Sequence, residues 1–218
     1  MASYRWPAMT ERIFTLPDAW TGGSYDLALE LGPRDDARLS RALNALWTHP
    51  DLVGCYQHMD REPNDQPRVD ASSAETRLHG VARIGTRAAI ASHTVVLRFD
   101  DGADWIHLCL PMGSLRRIFD VGAFPFEDGG DLAWRPELDE WLCALGRSVF
   151  EAAPFRVALI GWDGGELEDA ARVGTSGVPQ ERWVGYLVPG GADLTWFPPN
   201  GKAPFAVTRP GHAASGRD

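Results

Sequence analysis

Between Ala89 and Trp162 the chain reads as two strands around an Asp/Gly turn, AAIASHTVVLRF and WIHLCL flanking DDGAD, then a helix, PELDEWLCALGRSVFEA, then a third strand, PFRVALIGW. This β-β-α-β order constrains the fold more than any other feature, because a helix joining two strands must lie on the sheet they share. Leu138, Trp141, Leu142, Leu145 and Val149 recur at the spacing of one buried helical stripe. Pro136 suits a first turn, where no N–H is needed. Glu137, Asp139 and Glu140 set negative charge at the positive end of the macrodipole, and Pro154 stops the helix before the next strand. Arg156 to Ile160 is apolar nearly throughout, as a strand covered on both faces would be, and is expected parallel to and near residues 105–110.

Side-chain sorting gives an expected register for the hairpin, since a slip of one residue exchanges the two faces. A two-residue Asp101-Gly102 turn pairs Leu97 with Ile106 and gathers Val95, Leu97, Phe99, Ile106 and Leu108 on one apolar face. The other face then carries Arg98 across from Trp105, near His107, where a guanidinium can stack on an indole. A five-residue loop would instead set Trp105 and His107 beside Leu97 and Phe99, which sorts less well.

Residues 11–60 carry a similar pattern: short strands at Arg12–Leu16 and Tyr25–Leu31, a helix over Asp35–Thr48 with Leu39, Leu43, Leu46 and Trp47 on one face, and a strand at Leu52–Gln57. The expected architecture is therefore α+β: a mixed, mostly antiparallel sheet with two packed helices, built on a duplicated β-β-α-β unit. It forms a single domain over 1–207, with halves at 11–60 and 78–200 and a polar linker at 61–76. RWVGYLV and DLTWF around Gly190-Gly191 form a terminal hairpin, and 208–218 is expected to be a disordered tail.

Composition narrows the function classes. A formal net charge of −9 without any Lys/Arg-rich segment gives no electrostatic footing for nucleic acid and suits a basic protein partner. No apolar run approaches the roughly 20 residues of a membrane span, and MASYRWPAMTER lacks the apolar core of a signal peptide, so a cytoplasmic protein without membrane contact is expected. Three cysteines, Cys55, Cys109 and Cys143, fit reduced core thiols better than a disulfide framework. Lys202 is the sole lysine, an arginine bias of the kind a GC-rich genome produces. A phosphate-binding GK[ST] loop is therefore absent, and Schiff-base chemistry would fall to a residue in FPPNGKAPF.

Catalytic patterns do not complete themselves. Cys55 and His58 have C-x2-H spacing without a second ligand pair, so no metal site is expected. His107 and Cys109 alternate onto one strand face but lack a third group to orient the histidine. Gly161, Gly164 and Gly165 depart from GxGxxG and sit beside Asp163, Glu166, Glu168 and Asp169, which would repel a phosphate. In PMGSL, Met112 and Arg116 stand where a nucleophile elbow needs glycine, and Ser114 reads as a helix N-cap.

What remains is a constellation at the carboxyl ends of two strands: Ser114, Arg116 and Arg117 on one side, Trp162 and Asp163 on the other, an anion platform beside an aromatic one. Arg98, Trp105 and His107 form the second candidate surface. The sequence thus predicts a protein that binds rather than catalyses and needs no cofactor. The first expectation is a protein-interaction module, such as an inhibitor or immunity-type partner of a basic protein; the alternative is a small-molecule binder or enzyme using the cleft between Ser114 and Trp162.

Overall fold

The computed structural model describes residues 12–71, 77–99, 102–121, 132–162, 170–191 and 193–201. Among these residues eight strands form one sheet: β1 (Ser24–Pro33), β2 (Leu52–Tyr56), β3 (Arg77–Ala82), β4 (Ile90–Arg98), β5 (Ala103–Pro111), β6 (Val157–Trp162), β7 (Gly185–Gly190) and β8 (Asp193–Phe197). Their order is β2-β3-β4-β5-β1-β6-β7-β8. The helices are α1 (Asp36–Trp47), α2 (Met112–Leu115), α3 (Arg135–Ala152) and α4 (Ala170–Ser176). The fold is α+β, and every strand pairing is antiparallel. β5 and β6 do run in the same direction, as expected, but β1 lies between them and pairs with both.

The two long helices pack side by side on one face of the sheet. Asp35 caps α1 by accepting the Arg38 N–H at 3.0 Å. Leu39, Leu43 and Leu46 of α1 and Leu138, Leu142, Leu145 and Val149 of α3 are buried against Leu27 and Leu29 of β1 and Ile106 and Leu108 of β5. Each such leucine removed from water contributes roughly 2 kcal/mol. Trp141, expected in the stripe, sits at its margin: it is half-buried and donates its indole N–H to Asp51 at 3.1 Å. Trp47 ends α1 in a slot made by the cross-strand pair Gly54 and Gly80, where a Cβ on Gly80 would stand 2.1 Å from the indole.

The hairpin has the other register. Val96 faces Ile106, Leu97 faces Trp105 and Arg98 faces Asp104. Ile106 and Leu108 therefore look toward the helices with Val96, while Leu97 and Phe99 are left 37% and 51% exposed. The buried Asp104 fixes this arrangement. Arg98 grips it through Nε–Oδ1 at 2.9 Å and Nη2–Oδ2 at 3.0 Å and also reaches Asp36, and the Asp35 amide donates to Asp104 at 3.1 Å. Burial pushes the Asp104 carboxyl up, but these donors outweigh it and hold it below the usual carboxylate range.

The expected duplication is not a structural repeat. Residues 12–20 form bends and turns instead of a strand, because the Glu62 carboxylate takes the amides of Ile13, Phe14 and Thr15 that a ladder would use. α1 carries the chain from the middle of the sheet to its edge strand β2, whereas α3 crosses β1 alone. The segment expected to link two halves joins β2 and β3, hydrogen-bonded neighbours, and contains a 3₁₀ turn at Pro63–Asp65. Residues 72–76, Lys202 and the tail 208–218 lie outside the described residues. On the face away from the helices, Ile13, Phe14 and Ala19 cover Val53, Tyr56 and Val81, and Val173 of α4 covers Leu159 and Val184.

Candidate functional site

Where α3 begins, three polar side chains meet inside the protein. Tyr25 is fully buried on the helix face of β1, and Arg135 and Asp139, one helical turn apart, are each 5% exposed. Arg135 Nε donates to the Tyr25 hydroxyl at 3.0 Å, and that hydroxyl donates to Asp139 Oδ1 at 2.5 Å. Arg135 also donates through Nη2 to the Trp183 carbonyl at 2.9 Å. Trp134, edge-on to the Tyr25 ring at 5.3 Å between centroids, excludes water from one side. Burial pushes the Asp139 carboxyl up to about 6, against the pull of the Tyr25 hydrogen bond and the Arg135 charge. Burial, then the Asp139 charge, likewise pushes the Tyr25 phenol well above its ordinary value, so it remains a neutral donor.

Arg135 and Asp139 open onto a cavity of about 420 Å³. The Trp196 indole forms part of its wall, Pro198 and Pro199 add apolar lining, and the exposed Glu140 stands beside them. Trp196 is seated by Gly185 on the neighbouring strand, where a Cβ would meet the indole at 1.9 Å. A half-apolar cleft with convergent buried polar groups and a displaced carboxyl titration is the arrangement expected of a ligand site.

The residues expected from sequence fall elsewhere. Ser114 is completely buried inside α2, where its hydroxyl donates to the Ala19 carbonyl at 2.8 Å, so it ties the segment before β1 to the sheet and is not an N-cap. Arg116 and Arg117 are exposed just beyond α2. Trp162 shares the helix face with Tyr25, 6.4 Å away between ring centroids, and packs on the core. β1 separates its strand from β5, and Asp163 lies outside the described residues. In the second constellation, Arg98 points with Asp104 toward the helices while Trp105 and His107 occupy the opposite face, so the sheet itself divides the group and the expected Arg98–Trp105 stacking does not form.

That opposite face carries a polar row invisible to a linear reading. Asp26, Cys109, His93, His79 and Tyr56 stand in cross-strand register over five strands, with His107 two residues from Cys109. Trp20 covers two of these histidines, edge-on to His79 at 5.2 Å and tilted to His93 at 5.9 Å. Among the described residues, His79 Nδ1, His93 Nδ1 and His107 Nε2 are buried without a hydrogen-bond partner. Burial, helped by the charges of Arg77 and His79, lowers His93 to about 3, and burial lowers His107 to about 4. The Cys109 thiol is pushed well up by burial and by Asp26, the opposite of an activated nucleophile. Cys55 is buried with its thiol pushed up to about 12, whereas His58 is exposed. No group of three metal-ligating side chains occurs among the described residues, and no described helix is long and apolar enough to cross a membrane.

Arg135 and Asp139 escaped the sequence reading because charges in a first helical turn ordinarily serve the macrodipole. Their i, i+4 spacing beside Leu138 and Leu142 was the available signal. Searches against protein-family models, curated proteins and solved structures match nothing to this chain.

Proposed function

We propose that this protein works by binding and that its ligand enters the cavity at the start of α3. The observation carrying this reading is the buried Arg135–Tyr25–Asp139 chain that ends in that cavity. Three desolvated polar groups cost stability unless fully paired, and they are better justified as preorganised recognition groups than as packing. Ligand-observed NMR with a mixed library of charged and neutral small molecules tests it. Binders should lose contact with the Trp196→Ala variant; binders retained by that variant would move the site.

The partner-protein reading is favoured by a separate observation. A net charge of −9 accompanies Leu97 and Phe99, exposed at the end of the β4–β5 hairpin. An inhibitor or immunity-type domain would use such charge to steer a basic partner and such side chains to anchor it. Affinity capture from native lysate at low salt, with Phe99→Ser as the control, should retain a basic protein stoichiometrically on the wild type alone. Equal recovery on both would sink this reading.

A further inference from the structure

We infer that the cavity takes a cation: an ammonium or guanidinium group held between the Asp139 carboxylate and the Trp196 indole, with Glu140 at the mouth. The inference rests on the cavity being the binding site and adds the charge and class of what fills it.

Among the described residues, the charges lining the cavity are Arg135, Asp139 and Glu140, one positive and two negative. Arg135 is already engaged. It donates to the Tyr25 hydroxyl and the Trp183 carbonyl, and its guanidinium lies 5.6 Å from the centroid of the Tyr25 ring. It therefore holds the floor together through two of its N–H groups, and the described lining as a whole keeps a net negative charge.

A helix start would ordinarily favour an anion through its orphan amides. Here Pro136 has no N–H, the Arg135 amide donates to Leu132 O at 3.0 Å, and the Leu138 amide reaches Trp134 O at 3.4 Å. Among the described residues that leaves the Glu137 amide alone in the first turn, and the Glu137 carboxylate is occupied by Arg87 at 2.6 Å. Among the described residues, an anion entering the cavity would face two carboxylates, with the remaining N–H groups of Arg135 as its main donors.

A cation finds complementary partners. An indole face attracts ammonium or guanidinium within about 6 Å of the ring, more strongly where water is excluded. Pro198 and Pro199 offer apolar surface to an alkyl stem. Asp139 shares its surroundings with Tyr25 from β1 and with Arg135, Glu140 and Cys143 from α3 itself. Since burial leaves its carboxyl at about 6, a bound cation displaces that proton, and affinity rises with pH through this range.

The cation can be a free amine or an Arg side chain of a basic partner, and the test separates them. Isothermal titration at pH 7.5 and pH 5 uses agmatine, a capped Gly-Arg-Gly peptide, and butyrate as the anionic comparison. Agmatine or the peptide should saturate the protein, weaken several-fold at pH 5, weaken at least tenfold in Asp139→Asn, and weaken two- to fivefold in Glu140→Gln, an exposed change that leaves the fold intact. The tighter of the two identifies the source. Wild-type affinity of a cation for both variants overturns the inference. Trp196-dependent binding of butyrate or of neutral library members, with no saturation by either cation, overturns the cation while the cavity stands. Absence of any saturable binding overturns both.

Discussion

Lowering the pH from 7 to 5 should reduce the free energy of unfolding by about 2 to 3 kcal/mol or more, and three groups of opposite sign set the lower bound. His93 and His107, at about 3 and about 4 in the folded protein, remain neutral over this interval, whereas their unfolded counterparts protonate near 6.5. Protons therefore favour the unfolded chain, and each histidine removes about 2 kcal/mol between pH 7 and pH 5. Asp139 acts in the other direction. Its folded carboxyl, at about 6, takes up a proton before the unfolded one, at about 3.9, and so returns about 1 kcal/mol. The His79 ring, also lowered by burial, adds to the loss. Glu62 and Asp104 are held below the carboxylate range, so their stabilisation is lost only at lower pH. Urea unfolding followed by circular dichroism at pH 7, 6 and 5 measures the slope. The His107→Leu variant should be less sensitive by about 2 kcal/mol over the interval, and Asp139→Asn more sensitive by about 1 kcal/mol. A stability that stays flat or rises toward pH 5, or an unchanged slope in His107→Leu, would show that these rings meet water in the folded protein and would refute the reasoning.

Three further substitutions probe the frame around the site. Gly80→Ala drives a Cβ into Trp47 and to 2.8 Å from the Val53 carbonyl, so it should destabilise by about 3 kcal/mol in urea titration; a loss under about 1 kcal/mol would mean that the indole can leave its slot. Glu62→Ala should raise amide exchange at Ile13, Phe14 and Thr15 at least tenfold, measured by hydrogen-exchange mass spectrometry, with protection in α3 unchanged; wild-type exchange there would show that apolar packing alone holds the segment. Trp141→Ala should cost about 2 kcal/mol, less than a fully buried tryptophan, and Trp141→Phe about 1 kcal/mol for the bond to Asp51; equal losses in the two would remove the packing share.

Elements with a strong period were legible in the sequence. The helices at 36–47 and 135–152 and the strands on either side of them follow from apolar spacing, capping and proline placement. Pairing was less legible, because it depends on side chains far apart in sequence. Nothing local to PFRVALIGW indicates that β1 rather than β5 will be its neighbour. α4 was missed because AARVGTS buries only Val173 and has no stripe to detect. The candidate site required two long-range facts: Tyr25 lies 114 residues from Asp139, and Trp196 reaches the cavity from the terminal hairpin. The row of His79, His93 and Cys109 was equally hidden, since three strands contribute one residue each.

The hairpin shows which term decides such a pairing. Sorting Val95, Leu97 and Phe99 against Ile106 and Leu108 would bury two side chains that now stand exposed, a gain of roughly 2 to 4 kcal/mol. The faces of β5 are already fixed by β1, where Leu108 meets Leu27 and Ile106 meets Leu29 on the helix side. Asp104 shares that side and is 1% exposed at the start of α1. Shifting β4 by one residue would turn Arg98 to the opposite face and leave a buried carboxylate without its guanidinium, at a cost of about 3 to 5 kcal/mol. It would also sever the Arg98–Asp36 pair that ties the hairpin to α1. Pairing the buried charge therefore outweighs covering the two apolar side chains. The chain accepts Leu97 and Phe99 at its surface as the cost of that pairing.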